Sequence, residues 1–250
     1  MRARAEELHR VLVERAAPDG PNLATMCQLV VENCAVESAA ILIGRGQQRG
    51  SLHSTGGVAG AMEDLQITLG EGPSVDAWDT REPVTAGDLA EARFLERWPG
   101  FTPQAHGEGV HGAFVFPLQV GAIRLGTLSL YRLEPGHLMP EQVRDALLLC
   151  TIALEQLLSL SQENPPSAPG TLGLGTESLQ VYQATGMAAS QMRVGIEEAF
   201  VRMRAHAFSA GMSLSEAAKL MMTGQLVFSP VQDRPPGRPA ERSDDEADGQ

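Results

Sequence analysis

The chain has 250 residues, 43% of them hydrophobic and 4% aromatic, with a formal net charge of -12. This length accommodates one or two domains, and the acidic balance speaks against non-specific binding to nucleic acid. No apolar core of a signal peptide follows Met-Arg-Ala-Arg-Ala-Glu-Glu, and the longest apolar run, Ala146 to Leu154, is far short of the ~20 residues a membrane span needs. A cytoplasmic protein without membrane contact is therefore expected. Three cysteines, Cys27, Cys34 and Cys150, have no metal-ligand spacing and leave an odd count, so buried reduced thiols are expected.

The chain opens with a helical pattern from Ala3 to Ala16, stopped by Pro18-Asp19-Gly20-Pro21. A second helix runs from Leu23 to about Cys34, with Leu23, Met26, Cys27, Val30 and Cys34 on one side. Glu37 to Gly44 and Arg49 to Gly56 read as strands around a polar turn. A helix from Val58 to Leu69 leads into the turn Gly70-Glu71-Gly72-Pro73-Ser74, where Pro73 is placed to open a short helix through Trp78. Pro83-Val84-Thr85 is a brief strand and Leu89 to Trp98 a short helix. Val110 to Val120 and Ile123 to Arg132 form a hairpin-like pair around Gly121-Ala122. A long helix runs from Glu141 to about Ser161. This order predicts an α+β domain with a mixed or antiparallel sheet.

The closing helix is apolar around most of its circumference, through Val143, Ala146, Leu147, Leu148, Leu149, Cys150, Ile152, Ala153, Leu154, Leu157, Leu158 and Leu160. Such a helix needs cover on nearly every side. The sheet supplies one side. The other requires the N-terminal helix, a second copy of the chain, or both, and a homodimer built on these helices is the expectation. Glu163 to Gly170 holds three prolines and reads as a semi-rigid linker.

Beyond the linker, three short helices follow. The first runs from about Glu177 to Met192, with small residues at Ala184, Gly186, Ala188 and Ala189. The second spans Ile196 to about Ser209, with Ile196, Ala199, Phe200, Met203 and Ala207 on one face, and Gly211 stops it. The third opens on the capping box Ser213-Leu214-Ser215-Glu216 and turns Leu214, Ala217, Ala218 and Met221 inward. Three such helices must pack on one another. The stretch 177–228 carries four acidic and four basic residues, so it is neutral and not a basic patch. The Pro-, Arg- and Asp-rich tail after Phe228 is expected to be disordered.

The residue types within the C-terminal helices resemble the ANTAR domain, the RNA-binding antiterminator module of bacterial regulators. Gln183-Ala184-Thr185-Gly186-Met187 looks like its first-helix signature. Glu198-Ala199-Phe200 with Met203-Arg204 and Ala207 looks like its second, and Leu214 with Ala217-Ala218 like its third. Thr185 stands where many members carry a basic residue. The stretch from Leu23 to Leu160 is similar to the GAF domain, a signalling-sensor fold, through its element order, Gly70-Glu71-Gly72-Pro73, and Phe116-Pro117-Leu118 ahead of Gly126-Thr127-Leu128. Together the resemblances imply a GAF-like sensor with flanking dimerisation helices over 1–161, a linker over 162–176, an ANTAR-like three-helix bundle over 177–228 and a tail over 229–250. They imply binding to RNA stem-loops of nascent transcripts and transcription antitermination, with an unidentified small molecule as the candidate ligand of the sensor.

No catalytic constellation, zinc spacing or phosphate loop is present in the sequence, so no enzyme, metal or cofactor is expected. A methionine-sulfoxide-reducing use of the GAF fold relies on loop cysteines, whereas these cysteines lie on predicted helices. His53, His106 and His111 lack ligand spacing. The cationic candidates for RNA contact are Arg193, Arg202, Arg204, His206 and Lys219, with Ala184 and Gly186 permitting close approach. Each has a plainer reading. Glu198 and Arg202 are four apart in the order that favours a surface ion pair, and the stem of Arg204 can pack beside Met203. The alternative function is a small-molecule sensor whose C-terminal helices dock a protein partner or DNA. The third helix offers few long polar side chains for base edges, which counts against DNA.

Overall fold

The computed structural model describes residues 2–17, 22–45, 48–121, 123–163 and 176–230. Residues 2–45 build α1 (Arg2–Ala16), α2 (Leu23–Cys34) and β1 (Ser38–Arg45). Then come β2 (Gln48–Ser54), α3 (Gly56–Leu69), α4 (Pro73–Thr80), β3 (Val84–Ala86), α5 (Ala92–Arg97) and α6 (Phe101–Gly107). The hairpin β4 (Gly112–Val120) and β5 (Ile123–Arg132) precedes the long α7 (Pro140–Glu163). Three helices follow, α8 (Thr176–Met192), α9 (Ile196–Ser209) and α10 (Leu214–Met222). The linker expected over 162–176 and the tail over 229–250 fall mostly outside the described residues.

The five strands form one antiparallel sheet in the order β2-β1-β5-β4-β3. β5 lies at its centre between β1 and β4, and Gly126 of β5 stands opposite Ile43 of β1. A Cβ at Gly126 would run into the carbonyl of Leu42, so only glycine allows β5 and β1 this approach. Side chains alternate across the sheet. Leu128 and Leu130 of β5, Ile41 and Ile43 of β1, and Phe114, Phe116 and Leu118 of β4 share one core with α1, α2 and α7. Ala40 and Leu42, Ala113 and Val115, and Tyr131 face the opposite way, toward α3 and the α4–α6 region.

The expected cover of α7 comes mainly from the chain itself. α1 and α2 lie on it, and β4 packs beneath. Asp145 of α7 is buried and receives the guanidinium of Arg4 of α1 at 2.6 Å, which fastens the seam. Leu149, Ala153 and Leu157 are buried, while Leu147 and Leu158 remain exposed. Leu154 is only 8% exposed, so a charge placed there would disrupt the fold itself before any contact between copies. The three cysteines are buried and unpaired in disulfides.

One helix was not legible in the sequence. α6 begins at Phe101, where a carboxylate oxygen of Glu71, thirty residues earlier, accepts from the N–H groups of Gly100 (2.6 Å) and Phe101 (2.9 Å). Its cap is supplied by tertiary structure, in place of the local side chain that usually marks a helix start. α5 is shorter than expected because the Leu89 N–H donates to the His111 carbonyl (2.8 Å), which holds residues before Ala92 in a turn.

Candidate functional site

The C-terminal helices form a bundle whose core is Ala184, Ala188, Met192, Ala199, Phe200, Met203, Leu214, Ala218 and Met221. The capping box at Ser213 is present in both halves: the Ser213 hydroxyl accepts from Glu216 N–H, and the Glu216 carboxylate accepts from Ser213 N–H. Ile196, expected to point inward, is 53% exposed. It occupies the first position of α9, where the bundle no longer covers it.

The expected RNA-contact residues separate into three groups. Ala184 is fully buried and packs the bundle, out of reach of a ligand. Gly186 is exposed, and a Cβ there would meet nothing within 4 Å, so no helix takes advantage of its small size. Arg193, Arg202, His206 and Lys219 lie at or near the surface. Arg193 is exposed and ends α8 in the left-handed conformation (φ +58°), with the Val194 N–H returning to the Ala189 carbonyl. Arg202 forms the ion pair with Glu198 at 2.7 Å. The ring of His206 meets Phe228 edge-on at 5.5 Å.

Arg204 forms the third group. Its guanidinium turns away from solvent and onto the C-terminal end of α3. Nε donates to the Thr68 carbonyl (3.3 Å) and Nη2 to the Leu69 carbonyl (3.1 Å). Burial of the group pushes its pKa below the ordinary arginine value. Beside it, the Leu214 N–H, one of the orphan donors at the start of α10, donates to the Thr68 hydroxyl at 3.0 Å. Ile67 of α3 packs against the bundle core. The bundle therefore rests on α3 through packing, a cation at a helix C-terminus and a buried hydrogen bond.

Next to this contact is a groove of about 1040 Å³ between α3, α6 and the α9–α10 turn. Leu65, Leu69 and Met212 line it, together with Phe208, Lys219 and Glu216. Phe208 is 64% exposed, and the sequence reading missed it. The signal was available: Phe208 follows the buried Ala207 and falls outside the stripe formed by Phe200, Met203 and Ala207.

On its other side, α3 reaches a buried polar cluster. The Tyr131 hydroxyl donates to a Glu63 carboxyl oxygen (2.6 Å) and accepts from the Gln66 amide (2.7 Å), while the Gln66 oxygen accepts from the Ser74 N–H (2.7 Å). Glu63, Gln66 and Tyr131 are fully buried. Burial first, then the Glu63 carboxyl, raises the Tyr131 pKa well above its ordinary value. Gly72, at φ +129°, lets the turn close over Gln66, because a Cβ would overlap that side chain. The Gly70–Pro73 turn thus touches the polar cluster through Gln66, α6 through Glu71 and the bundle through Arg204. Elsewhere, the rings of His106 and His111 meet at 4.8 Å, and among the described residues no group of three or more His, Cys, Asp or Glu could hold a metal.

No family model and no curated protein matches the chain. Solved structures similar to it include the GAF domain of a phosphoenolpyruvate-protein phosphotransferase from Coxiella burnetii, at 17% identity and a TM-score of 0.47, covering 64% of this chain and 95% of that one. The GAF domain of the Acinetobacter phosphoenolpyruvate-protein phosphotransferase gives 15% identity and a TM-score of 0.48, over 65% of this chain and 96% of that one. A phycocyanobilin-bound GAF domain from a cyanobacterial phytochrome gives 10% and 0.46, over 64% and 97%.

Proposed function

We propose that the chain is a signal-responsive regulator that binds RNA hairpins of nascent transcripts through α8–α10 and so prevents transcription termination in the cytoplasm. The α+β unit is its GAF-like input, open to a small-molecule signal and joined to a second copy along the exposed Leu147–Leu158 side of α7. The observation that carries the RNA reading is Phe208, exposed in the groove at the α9–α10 turn that Lys219 also lines. Protein aromatic rings stack on bases splayed from hairpin loops, and nearby cations hold the backbone. The ANTAR resemblance adds support, since Ala184, Ala199, Phe200, Met203, Leu214 and Ala218, which carry it, form the bundle core. A neutral bundle recognises loops by stacking more than by charge, so its affinity falls shallowly with salt.

A second reading, a sensor whose helices dock a protein partner, is favoured by Val201 and Phe208. They lie seven apart on one face of α9, and both are exposed. The test is a gel-shift series with the full chain, comparing tandem RNA hairpins with randomised loops against duplex DNA of equal length. The expected result is preference for hairpins, with Phe208→Ala weakening binding by about 1–3 kcal/mol at unchanged helicity. Equal binding to the two nucleic acids, or none to either, overturns the RNA reading and leaves protein docking.

A further inference from the structure

The contact between Arg204 and α3 bears on how such an output would be controlled. Arg204 is among the few cations of the bundle, and its guanidinium is on main-chain carbonyls of the input unit instead of facing solvent. The last carbonyls of a helix have no partner within the helix and carry its negative end, so a guanidinium there is held by geometry and by the dipole together. The Thr68 hydroxyl meets the first N–H of α10 in the same place. Gly70 makes room for the guanidinium: its φ is +71°, and a Cβ on it would overlap Arg204. The contact thus depends on one glycine, one hydroxyl and one arginine from segments about 135 residues apart in the chain.

The same helix carries the buried polar cluster a turn earlier. Glu63 and Gln66 hold Tyr131 on the sheet side, and Ile67, Thr68 and Leu69 hold the bundle on the other. Gln66 and Ile67 are adjacent residues of a rigid element, so a change that repositions Gln66 also moves the carbonyls beneath Arg204. Glu63, Gln66, Tyr131 and the Ser74 N–H are mutually satisfied in the interior, and an arrangement of that kind shifts as a unit when one member is given a different partner.

We propose that the end of α3 is an autoinhibitory latch, in which the Thr68 and Leu69 carbonyls and the Thr68 hydroxyl hold Arg204 and the start of α10 until displacement of α3 releases them to an RNA phosphate. The proposal rests on the RNA reading above and adds its regulation. RNA competes with the latch for one guanidinium, so the apparent affinity of the full chain is reduced by the fraction of molecules that are unlatched. Loosening the latch raises hairpin affinity, although neither Phe208 nor Lys219 is changed.

The experiment uses the full chain and two variants on the input side, Thr68→Val and Gly70→Ala. Thr68→Val removes the hydroxyl at nearly constant shape, and Gly70→Ala drives a methyl into the guanidinium. Amide hydrogen exchange at Leu214 reports the latch without RNA. Gel shifts with a tandem-hairpin RNA of randomised loops report binding. The expected result is faster exchange at Leu214 in both variants, unchanged protection in the core of α9, and hairpin affinity raised by roughly tenfold to a hundredfold, the range set by a minor open state. Gly70→Ala also strains α3, so Thr68→Val decides if Gly70→Ala loses helicity. Faster exchange with unchanged or weaker hairpin binding overturns the latch while the RNA reading stands. Unchanged exchange in Thr68→Val overturns it as well. If wild type does not bind hairpins, the RNA reading fails and the regulation proposed here fails with it.

Discussion

The two faces of the central sheet both bury apolar side chains, and only one of them adds a buried polar network. β5 supplies both: Leu128 and Leu130 enter the core under α1, α2 and α7, and Thr127, Ser129 and Tyr131 point the other way. The first face is aliphatic and aromatic side chains together with three thiols. Its energy is area removed from water, which is non-directional and changes little with small shifts. The second face also buries large apolar side chains, among them Leu42, Met62, Trp98 and Phe101, and adds the buried Glu63–Gln66–Tyr131 cluster. Directional bonds in a low-dielectric interior stabilise only while all are made. The dry face thus anchors the fold, and the polar face is where an input can act, on the same helix that holds the C-terminal bundle.

Alkaline titration separates the faces most strongly. Burial pushes the Cys27 and Cys34 thiols of the dry face from 9.0 up to about 12. A folded pKa above the unfolded one means the folded chain retains the proton longer, so this stability is intact below pH 9 and is lost as pH climbs toward about 12. Tyr131, whose pKa is also raised, adds a loss that starts only above its ordinary value of 10. Urea unfolding across this range should show falling stability from pH 9. Cys27→Ala should flatten the first part of the decline, and Tyr131→Phe should remove a late step in tyrosinate absorbance. An unchanged profile in Cys27→Ala would assign the titration to other groups.

At neutral pH, truncation in the dry face should cost the most. Phe116 is fully buried, and Phe116→Ala is expected to lower unfolding free energy by about 3–5 kcal/mol through lost transfer energy and the cavity left behind. Denaturant midpoints measure this, and a loss under about 1 kcal/mol would mean the core had collapsed around the site. Tyr131→Phe removes a single oxygen from the polar face. It should cost less, about 1–3 kcal/mol, because Glu63 and Gln66 each lose a partner while remaining buried. That variant should also quicken amide exchange near Thr68 if α3 transmits the change. An effect confined to β5 would separate the cluster from the bundle.

How much of this was legible in the sequence follows from the range of each interaction. The bounds of α2 and α9, the β4–β5 hairpin and the Ser213–Glu216 capping box depend on neighbours within a few residues, and a linear pattern carries those. The apolar girth of α7 announced that cover was needed but not its source, since α1 and a second copy satisfy the same pattern. The Gly70–Pro73 turn could be picked out as a motif, while the reasons for Gly70 and Gly72 are side chains of Arg204 and Gln66 that only folding brings near.

The sequence by itself determined most of the α+β order, with α6 missed, the helical bundle, its neutrality and most of the residues that fill its core, with Ile196 an exception, because periodicity and composition are local properties. The tertiary structure alone decided the remaining assignments. It took Arg204 from a candidate surface cation to a partly buried one on carbonyls of α3, placed Glu63 beside Tyr131 across 68 residues, and left Phe208 exposed in the groove that Lys219 also lines. A residue type states what a side chain can bond, but the partner it finds depends on which distant segments the fold packs together.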